Sequence, residues 1–402
     1  MDALSLLRDL IALPSVNPMG RDLSGPEYYE TRVTEYLAAF FADLGVPFET
    51  IEVVDGRCNV IAEFRGADGA PVILLDAHQD TVPVDGMVIP PFDPTVKDGR
   101  VYGRGACDVK GGMAAMLAAF ARLVRSDRLQ PVKGPAEAGH YEPSRAATVI
   151  MSCTCDEESG AKGIEHLVKS WERGRKPDFA VIAEPTELDV VVAHRGAFRW
   201  KARTTGRACH SSRPEDGVNA IYRMAHVLGA LEEYAAGLAD HIPPHPLCGP
   251  ATLSVGIVAG GSSVNTVPDE CHIEIDRRCI PGEDLSRVIP DVEEFLKDRV
   301  DVPFEFLPPW IRAMTLSDEH NGPLADRLLA VIAEVAGPHK KVGVPYGTHA
   351  SRTAQPGVPS VVFGPGSIAQ AHTEDEWIAV DQLEQAAEIY YRFIATPELK
   401  SV

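Results

Sequence analysis

Basic residues and long apolar runs are both scarce in this sequence. Lysine and arginine number 38 against 58 aspartate and glutamate residues, which gives a formal net charge of −20. This balance argues against nucleic acid or an anionic membrane surface as a partner, because both require a basic surface. No apolar stretch approaches the roughly 20 residues needed to span a bilayer, and the opening segment carries acidic residues where a signal peptide would carry basic ones. A cytoplasmic protein is therefore expected.

Two further signatures are missing. The eight cysteines are scattered without Cys-x-x-Cys spacing, which argues against a zinc ribbon and a disulfide scaffold. No Gly-x-Ser-x-Gly motif stands at a strand-to-helix turn, so a serine nucleophile of that type is not indicated. The remaining composition is ordinary for a soluble globular protein. At 402 residues the chain exceeds what one hydrophobic core normally supports, so two domains are expected.

Strand-like apolar runs alternate with helical patterns in the first half of the chain, and the pattern resumes near its end. This alternation predicts an α/β fold with a mostly parallel sheet and helices on both faces. Between two of the runs, residues 130–147 are rich in proline and glycine, so a surface loop is expected there. The predicted strands are Val72–Leu75, Thr148–Cys153, Phe179–Ala183 and Ser360–Phe363.

From about Asp189 the pattern changes to that of a smaller mixed domain. Strands and helices follow in the order β-α-β-β-α-β, which predicts a ferredoxin-like α+β domain inserted into the larger one. The predicted division is residues 1–188 and 309–402 for a catalytic domain in two parts, and residues 189–308 for the insertion.

Candidate site residues stand at the ends of the predicted strands. His78 and Asp80 lie two apart after an apolar run, so they are expected on one face, where a carboxylate could orient a metal-binding imidazole. Parallel α/β sheets bind ligands at the carboxyl ends of their strands. The further candidates, each just past a hydrophobic segment or at the start of a helix, are Asp108, Glu157, Glu158, Glu184 and His372.

Such a cluster is too anionic to pack without cations, because carboxylates repel one another strongly in a low dielectric. Two divalent metals would resolve the repulsion. Asp108 has an oxygen for each ion, His78 and Glu184 could complete one site, and Glu158 and His372 the other. Mixed nitrogen and oxygen donors suit Zn²⁺, and Co²⁺ or Mn²⁺ would also fit.

Glu157 and Glu158 are adjacent, and neighbouring side chains on an extended segment diverge. One of them is therefore expected to bind metal, and the other is free to act as a general base toward a water molecule that the metals acidify. The residues alone do not decide which acid has which role.

Each candidate also has an ordinary structural explanation. Asp108 precedes a helix and could be its N-cap. Glu157 and Glu158 could form a solvated strand end, Glu184 an ordinary turn, and His372 a surface histidine. Their co-location at one edge of one sheet favours a site, because independent accidents would not all select that edge.

Four segments carry a resemblance to a known family. His78–Pro83, Gly103–Gly112, Asp156–Gly160 and Ala183–Thr186 resemble the M20 metallohydrolases, the group of acetylornithine deacetylase, succinyl-diaminopimelate desuccinylase, aminoacylase and glutamate carboxypeptidase. The matches run in order through almost the whole chain. The resemblance implies a zinc-exopeptidase-like catalytic domain and an inserted lid domain that forms a homodimer.

The resemblance also implies roles for the site residues. Asp108 would bridge two zinc-type ions and be followed by a cis peptide bond, Asp80 would orient His78, and Glu157 would be the general base. The implied metal ligands are His78, Asp108, Glu158, Glu184 and His372.

Three residues of the insertion match family positions that act on the substrate. His210, in Ala208–Ser212, corresponds to the histidine that reaches the partner's active site and supports the oxyanion. Asn265 and Arg278 match positions that grip the substrate, and a guanidinium fork suits a carboxylate. By contrast, His349 stands where acidic or small residues are frequent, so the substrate pocket need not match that of the named deacetylases.

The leading interpretation is hydrolysis of an N-acyl amino acid by metal-activated water, with Glu157 as general base. A dipeptidase or carboxypeptidase acting on a short peptide fits the same residues. A protein of another class, which binds a metal or an amino-acid derivative without turning it over, is the remaining alternative. The presence of a base beside a full ligand set argues against it.

Overall fold

The computed structural model describes residues 2–128, 147–174 and 176–395. The predicted loop at residues 130–147 therefore lies, apart from Ala147, outside the described residues. The chain divides into two compact units. The first unit comprises Met1–Val192, Glu319–Val342 and Thr348–Val402, and the second unit comprises Ala193–Asp318 and Gly343–Gly347.

The described helices and strands are as follows. The helices are α1 (Ala3–Ile11), α2 (Thr31–Leu44), α3 (Lys110–Arg128), α4 (Lys162–Ser170), α5 (Ala220–His241), α6 (Val288–Lys297), α7 (Gly322–Val335), α8 (Ala350–Ala354) and α9 (Val380–Ala395), with a short 3-10 helix at Pro214–Asp216. The strands are β1 (Phe48–Val54), β2 (Arg57–Phe64), β3 (Val72–His78), β4 (Thr95–Lys97), β5 (Arg100–Tyr102), β6 (Thr148–Thr154), β7 (Phe179–Ile182), β8 (Val190–His194), β9 (Gly196–Thr205), β10 (Cys209–His210), β11 (Thr252–Gly260), β12 (Thr266–Val267), β13 (Glu270–Cys279), β14 (Glu305–Phe306), β15 (Ile311–Ala313), β16 (Lys341–Val344), β17 (Ser360–Val362) and β18 (Trp377–Ala379). In this part of the chain no helix has the length and apolar composition required to cross a membrane.

The main sheet has the strand order β1-β2-β6-β3-β7-β17-β8-β16. Its central strands β6, β3, β7 and β17 are parallel, whereas β1 and β2 at one side and β8 at the other pair antiparallel. Every residue of β3 is buried, as expected of a parallel strand covered on both faces. The prediction of a mostly parallel sheet is confirmed.

The largest apolar core lies on one face of this sheet. Ile73, Leu75 and Ala77 of β3 pack there with α1, α2, α3, α7 and α9, and burying a side chain such as Leu75 contributes about 1.5–3 kcal/mol. The alternate residue Asp76 faces the other side, where it accepts a hydrogen bond from His349 beside α8. Helices therefore cover both faces, and the alternation of strand side chains decides which residues reach each one.

The second unit has the ferredoxin-like arrangement. Its main elements follow as β9-α5-β11-β13-α6-β14, and its sheet has the order β11-β13-β9-β14 with antiparallel pairing. Along β13, Cys271, Ile273 and Ile275 are buried and alternate with more exposed residues. This period of two lets one face of the sheet pack on α5 and α6, and it confirms the predicted α+β insertion.

The second unit begins and ends later than residues 189–308. It extends from Ala193 to Asp318 because β15 pairs with β9 and keeps the chain beyond residue 308 tied to the small sheet. At the other end, Val191 of β8 pairs with Val362 in the main sheet. A three-residue strand such as β15 has too short an apolar pattern to be recognised in the sequence.

Candidate metal centre

The parallel strands end at one rim, and the predicted metal ligands follow them there. His78 is the last residue of β3, and Glu158 comes shortly after β6. Glu184 follows β7, and His372 lies in the segment after β17. Asp108 stands just before α3 and is also buried. The carboxyl ends of parallel strands meet at the same edge, which explains why residues so distant in sequence converge.

Asp108 lies between two histidines. Its Oδ1 is 3.1 Å from Nε2 of His78, and its Oδ2 is 3.3 Å from Nε2 of His372. Nε2 of His372 is also 3.4 Å from Oε2 of Glu158. His78, Asp108 and Glu158 each offer a ligand atom, and these atoms lie within 4.8 Å of one another. The two oxygens of Asp108 thus face different partners, as a bridging carboxylate must.

The chemistry of these groups fits divalent cations. Oε1 of Glu158 is buried and has no hydrogen-bond partner in the described part of the chain. Burial, reinforced by the charge of Asp108, raises the pKa of Glu158 to about 8 and raises the pKa of Glu184 well above its usual value. Burial also acts to raise the pKa of Asp108, but hydrogen bonds with His372 and His78 hold it below its usual value. A cation would relieve this repulsion and supply the missing partner.

The rim is unevenly exposed. The His78 side chain is 2% exposed, whereas that of His372 is 52% exposed. His372 also has a left-handed backbone with φ of 62°, a conformation found mostly in turns. The open side of the cluster is therefore the side of His372, from which solvent or a ligand can approach.

Asp80 lies beside His78, as predicted, and also contacts the paired acids. Nδ1 of His78 donates to the backbone carbonyl of Asp80 at 2.9 Å, and the nearest carboxylate oxygen is 3.6 Å away. The carboxylate instead accepts the backbone N–H groups of Glu157 and Glu158 at 3.1 and 3.2 Å. Because β3 ends at His78, strand alternation no longer governs where Asp80 points. One residue thus orients the imidazole through its backbone and the paired acids through its side chain.

A buried ion network supports this turn. The guanidinium of Arg57 donates to Oε2 of Glu30 at 2.9 Å and to Oδ1 of Asp156 at 2.6 Å. Its Nη2 is 3.7 Å from Oδ2 of Asp80, and Nδ2 of Asn17 donates to the same oxygen at 2.8 Å. One guanidinium cation therefore compensates three buried carboxylates next to the candidate metal centre.

Glu376 holds the segment that carries Asp108. Its carboxylate accepts the backbone N–H groups of Gly105, Cys107 and Asp108, each at 2.9 Å, and Nη1 of Arg104 at 2.8 Å. The Asp108–Val109 peptide bond is cis, as the family resemblance implied. Glu376 could not be identified from the sequence, because no spacing or periodicity connects residues 268 positions apart.

The three predicted substrate residues belong to the second unit. Pairing of β10 with β12 brings His210 and Asn265 together, and Ser211 N donates to the Asn265 carbonyl at 3.0 Å. Both side chains are exposed. Arg278, on β13, is paired with Asp276 at 2.6 Å.

Comparison with known proteins gives a consistent result. The family described as Peptidase family M20/M25/M40 matches residues 74–396. The acetylornithine deacetylase of Vibrio campbellii is 31% identical over 372 residues, which are 90% of this chain and 90% of that protein. An M20 family metallo-carboxypeptidase from Sulfolobus solfataricus has the same fold, with a TM-score of 0.74, 18% identity and 99% coverage of both chains. The Bacillus subtilis YXEP protein, described as a dinuclear metal-binding peptidase, has a TM-score of 0.65, 16% identity and coverage of 100% of this chain and 98% of that one.

Proposed function

The chain belongs to peptidase family M20/M25/M40, and we propose that within this family it is a two-metal amidohydrolase that cleaves an N-acyl amino acid. As a member of the family it is a hydrolase that acts on amide bonds. The observation that carries the proposal is the position of Asp108, with one oxygen 3.1 Å from His78 and the other 3.3 Å from His372. The similarity to an acetylornithine deacetylase over 90% of the chain supports the substrate class.

The rim residues would hold two divalent ions. Zn²⁺ suits the mixed donors, and Co²⁺ or Mn²⁺ also fits. Ions bound there supply Lewis acidity toward a carbonyl oxygen and lower the pKa of a water molecule. The similarity of fold to a dinuclear metal-binding peptidase supports the number of ions. The proposed ligands are His78, Asp108, Glu158, Glu184 and His372.

Glu157 is the proposed general base. A hydrogen bond to Asp80 fixes its backbone, and burial raises the pKa of its carboxyl group. A raised pKa suits a base that takes a proton from the attacking water and delivers it to the departing amine near neutral pH. Asp80 then has a positioning role, because it holds both His78 and the Glu157 backbone.

Replacing Glu157 with glutamine tests the proposed base. The variant should lose nearly all turnover while it retains its bound metal, because glutamine preserves shape and hydrogen bonding but cannot accept the proton. Removal of metal by a chelator should abolish turnover in the wild type, and Zn²⁺ or Co²⁺ should restore it. Equal turnover by the glutamine variant would contradict the assignment.

His210, Asn265 and Arg278 are proposed to contact the substrate. Arg278 is paired with Asp276, and both side chains are about one third exposed, at 31% and 29%. A pair this accessible is weakly held, so the guanidinium can exchange its partner for a substrate carboxylate. Replacing Arg278 with lysine should raise KM more than it lowers kcat, because lysine keeps the charge and loses the fork.

We also propose a homodimer formed through the second unit. Strand β11 lies at the edge of the small sheet, and its Ile257 and Val258 are 51% and 59% exposed, near in sequence to the fully exposed Val264. An exposed apolar edge strand favours pairing with another chain. Light scattering should show a dimer for the wild type and a monomer for Val258→Lys, and a monomeric wild type would contradict the proposal.

A cytoplasmic location is proposed on the state of the cysteines. All eight lie among the described residues and are free thiols, which suits a reducing compartment. Cell fractionation tests the location, and recovery in a secreted fraction would contradict it.

A dipeptidase or carboxypeptidase activity is the second candidate, because the same rim would serve a peptide amide. Hydrolysis of N-acetyl amino acids measured beside hydrolysis of dipeptides separates the two. The proposal expects the higher kcat/KM on the N-acetyl panel. Higher values on dipeptides would favour the peptidase, and turnover of neither panel by metal-loaded protein would favour a binding protein.

A further inference from the structure

A second histidine–carboxylate pair lies beside the metal centre in the first unit. Nδ1 of His349 donates to Oδ2 of Asp76 at 2.8 Å, and the two side chains are 2% and 0% exposed. Oδ1 of Asp76 accepts from the Thr154 hydroxyl at 3.3 Å. Neither His349 nor Asp76 belongs to the proposed ligand set, and neither has a part in the reaction described above.

One nitrogen of this buried imidazole has no partner. Nε2 of His349 is buried and forms no hydrogen bond within the described residues. Buried polar atoms are almost always paired, and leaving one unpaired costs free energy of folding. Because Asp76 accepts a hydrogen bond from Nδ1–H of His349, it fixes the plane of the ring. Nε2 is then the nitrogen that remains available. The arrangement is that of an oriented imidazole whose second nitrogen meets no hydrogen-bonding group in the described part of the chain.

The ring lies next to the catalytic rim. Asp76 and His78 are two apart on β3 and point to the same face, and the rings of His349 and His78 are 6.5 Å apart. The hydroxyl of Thr154, the last residue of β6, is 3.4 Å from Nδ1 of His349, and Glu157 follows three positions later.

We propose that His349 is a positioning residue for Glu157. Asp76 holds the imidazole, and Nε2 shares a single hydrogen bond with the Glu157 carboxyl group during catalysis, whichever of the two carries the proton. The backbone of Glu157 is already fixed by Asp80 at 3.1 Å, so this contact would orient the side chain. The inference rests on the proposed role of Glu157 as the base.

Two substitutions of His349 separate its two nitrogens. Asparagine places an amide near the position of Nδ1 and can still satisfy Asp76, whereas glutamine reaches the position of Nε2. His349→Asn should lower kcat about 10- to 100-fold, the scale expected when a reacting group is misplaced by about 1 Å, with KM and metal content unchanged. His349→Gln should recover part of that loss. Wild-type kcat in His349→Asn, loss of a metal ion, or no recovery by glutamine would overturn the proposal.

His339 offers a matched control. It forms a similar pair, Nδ1 to Oδ1 of Asp189 at 3.1 Å, but the two side chains are 21% and 23% exposed. His339→Asn should leave kcat, KM and metal content unchanged. A fall in kcat equal to that of His349→Asn would show that the effect is not specific to the buried pair, and would overturn the proposal.

A double-substitution cycle tests whether His349 acts through Glu157. Glu157→Asp shortens the base and retains a carboxylate, which keeps a measurable rate. In that background His349→Asn should cause little further loss of kcat, because the contact is already broken. An equal loss in both backgrounds would overturn the proposal. Full activity of Glu157→Gln would instead contradict the proposed function, so the two failures are distinguishable.

A spectroscopic measurement on Zn²⁺-loaded protein with a bound, non-hydrolysable substrate analogue needs no turnover. In protein labelled with ¹⁵N-histidine, Glu157→Ala should change the chemical shift of Nε2 of His349 and leave that of Nδ1 unchanged, since Asp76 remains. An unchanged Nε2 signal would overturn the contact, whatever the kinetics show.

Discussion

The two compact units carry their charged groups in different ways. In the first unit, acidic side chains are buried beside the rim, where the Arg57, Glu30 and Asp80 side chains are 9%, 0% and 0% exposed. In the second unit, ion pairs lie on the outer face of a sheet, as in Arg203 and Glu305, which are 36% and 56% exposed. Buried charges must be held by fixed partners or cations, whereas exposed pairs exchange partners readily.

The difference matches the roles proposed for the two units. A metal centre needs donors held in one geometry, and the first unit provides them with networks around Arg57 and Glu376. A substrate-contacting surface needs side chains that can change partners, and the exposed His210 and Asn265 have that freedom. Rigidity is thus concentrated where the chemistry is proposed, and exchangeable contacts where recognition is proposed.

The largest expected effect, on bound metal and on kcat, comes from removing Asp108, the proposed bridging ligand. Asp108→Ala should bind fewer than two metal ions per chain, because one carboxylate serves both proposed metal sites. The variant should also lose several orders of magnitude in kcat. Metal analysis and kcat measure the two outcomes. Asp298→Ala, which changes an exposed aspartate of the second unit, should alter neither. Two ions retained in Asp108→Ala would remove the distinction drawn between the units.

The next largest effect is expected on the free energy of unfolding, when the buried Arg57 is removed. Arg57→Ala should lower the free energy of unfolding by about 3–5 kcal/mol, because it leaves three buried carboxylates without their cation. Denaturant unfolding of the metal-free protein measures this value without interference from bound ions. A loss below about 1 kcal/mol, the size typical of a surface pair, would show that the network is not a fixed support.

The pH dependence of the metal-free protein gives a smaller effect. Burial raises the pKa of Glu158 from 4.5 to about 8 and raises that of Glu184. The folded state then binds more protons than the unfolded state, so the free energy of unfolding should fall as pH rises above about 4.5. Burial lowers the pKa of Lys110 from 10.5 to about 7. Above about pH 7 the folded state therefore binds fewer protons at Lys110 than the unfolded state, which opposes the fall in the free energy of unfolding.

Thermal unfolding between pH 5 and 7 checks this sign. Without metal, Tm should fall across that interval. The stabilisation produced by added Zn²⁺ should grow across it, because metal binds deprotonated ligands. A metal-free Tm that rises from pH 5 to 7 would contradict the description of the rim as a cluster of buried, repelling acids.

The smallest effect is expected in the second unit. Arg203→Ala, which removes an exposed pair with Glu305, should change the free energy of unfolding by less than about 1 kcal/mol. The same denaturant experiment as for Arg57→Ala provides the measurement. A loss as large as that of Arg57→Ala would abolish the contrast between buried and exposed networks.

The sequence predicted those features that depend on local pattern. Each proposed ligand follows a hydrophobic segment or precedes a helix, so the rule that parallel strands end at one edge was enough to group His78, Glu158 and Glu184. Alternating apolar residues likewise revealed the strands of the inserted domain. The spacing of His78 and Asp80 predicted that they would lie together, and both the backbone carbonyl and the carboxylate of Asp80 are near Nδ1 of His78. The hydrogen bonds from the Glu157 and Glu158 backbones to Asp80 were not predicted, because they depend on the turn that follows β6.

Contacts between distant parts of the chain could not be predicted. His349 meets Asp76 across 273 positions, and Glu376 meets Asp108 across 268. No periodicity or motif relates such residues, and each has an unremarkable local sequence. Their pairing depends on which strands become neighbours in the sheet, which a single sequence without aligned relatives does not specify.

The most direct test of the account is a crystal structure of the protein grown with Zn²⁺, with anomalous scattering used to locate the metal. Two ions about 3.5–4 Å apart are expected, each bound to a different carboxylate oxygen of Asp108. A single ion, or two ions that do not share Asp108, would contradict it.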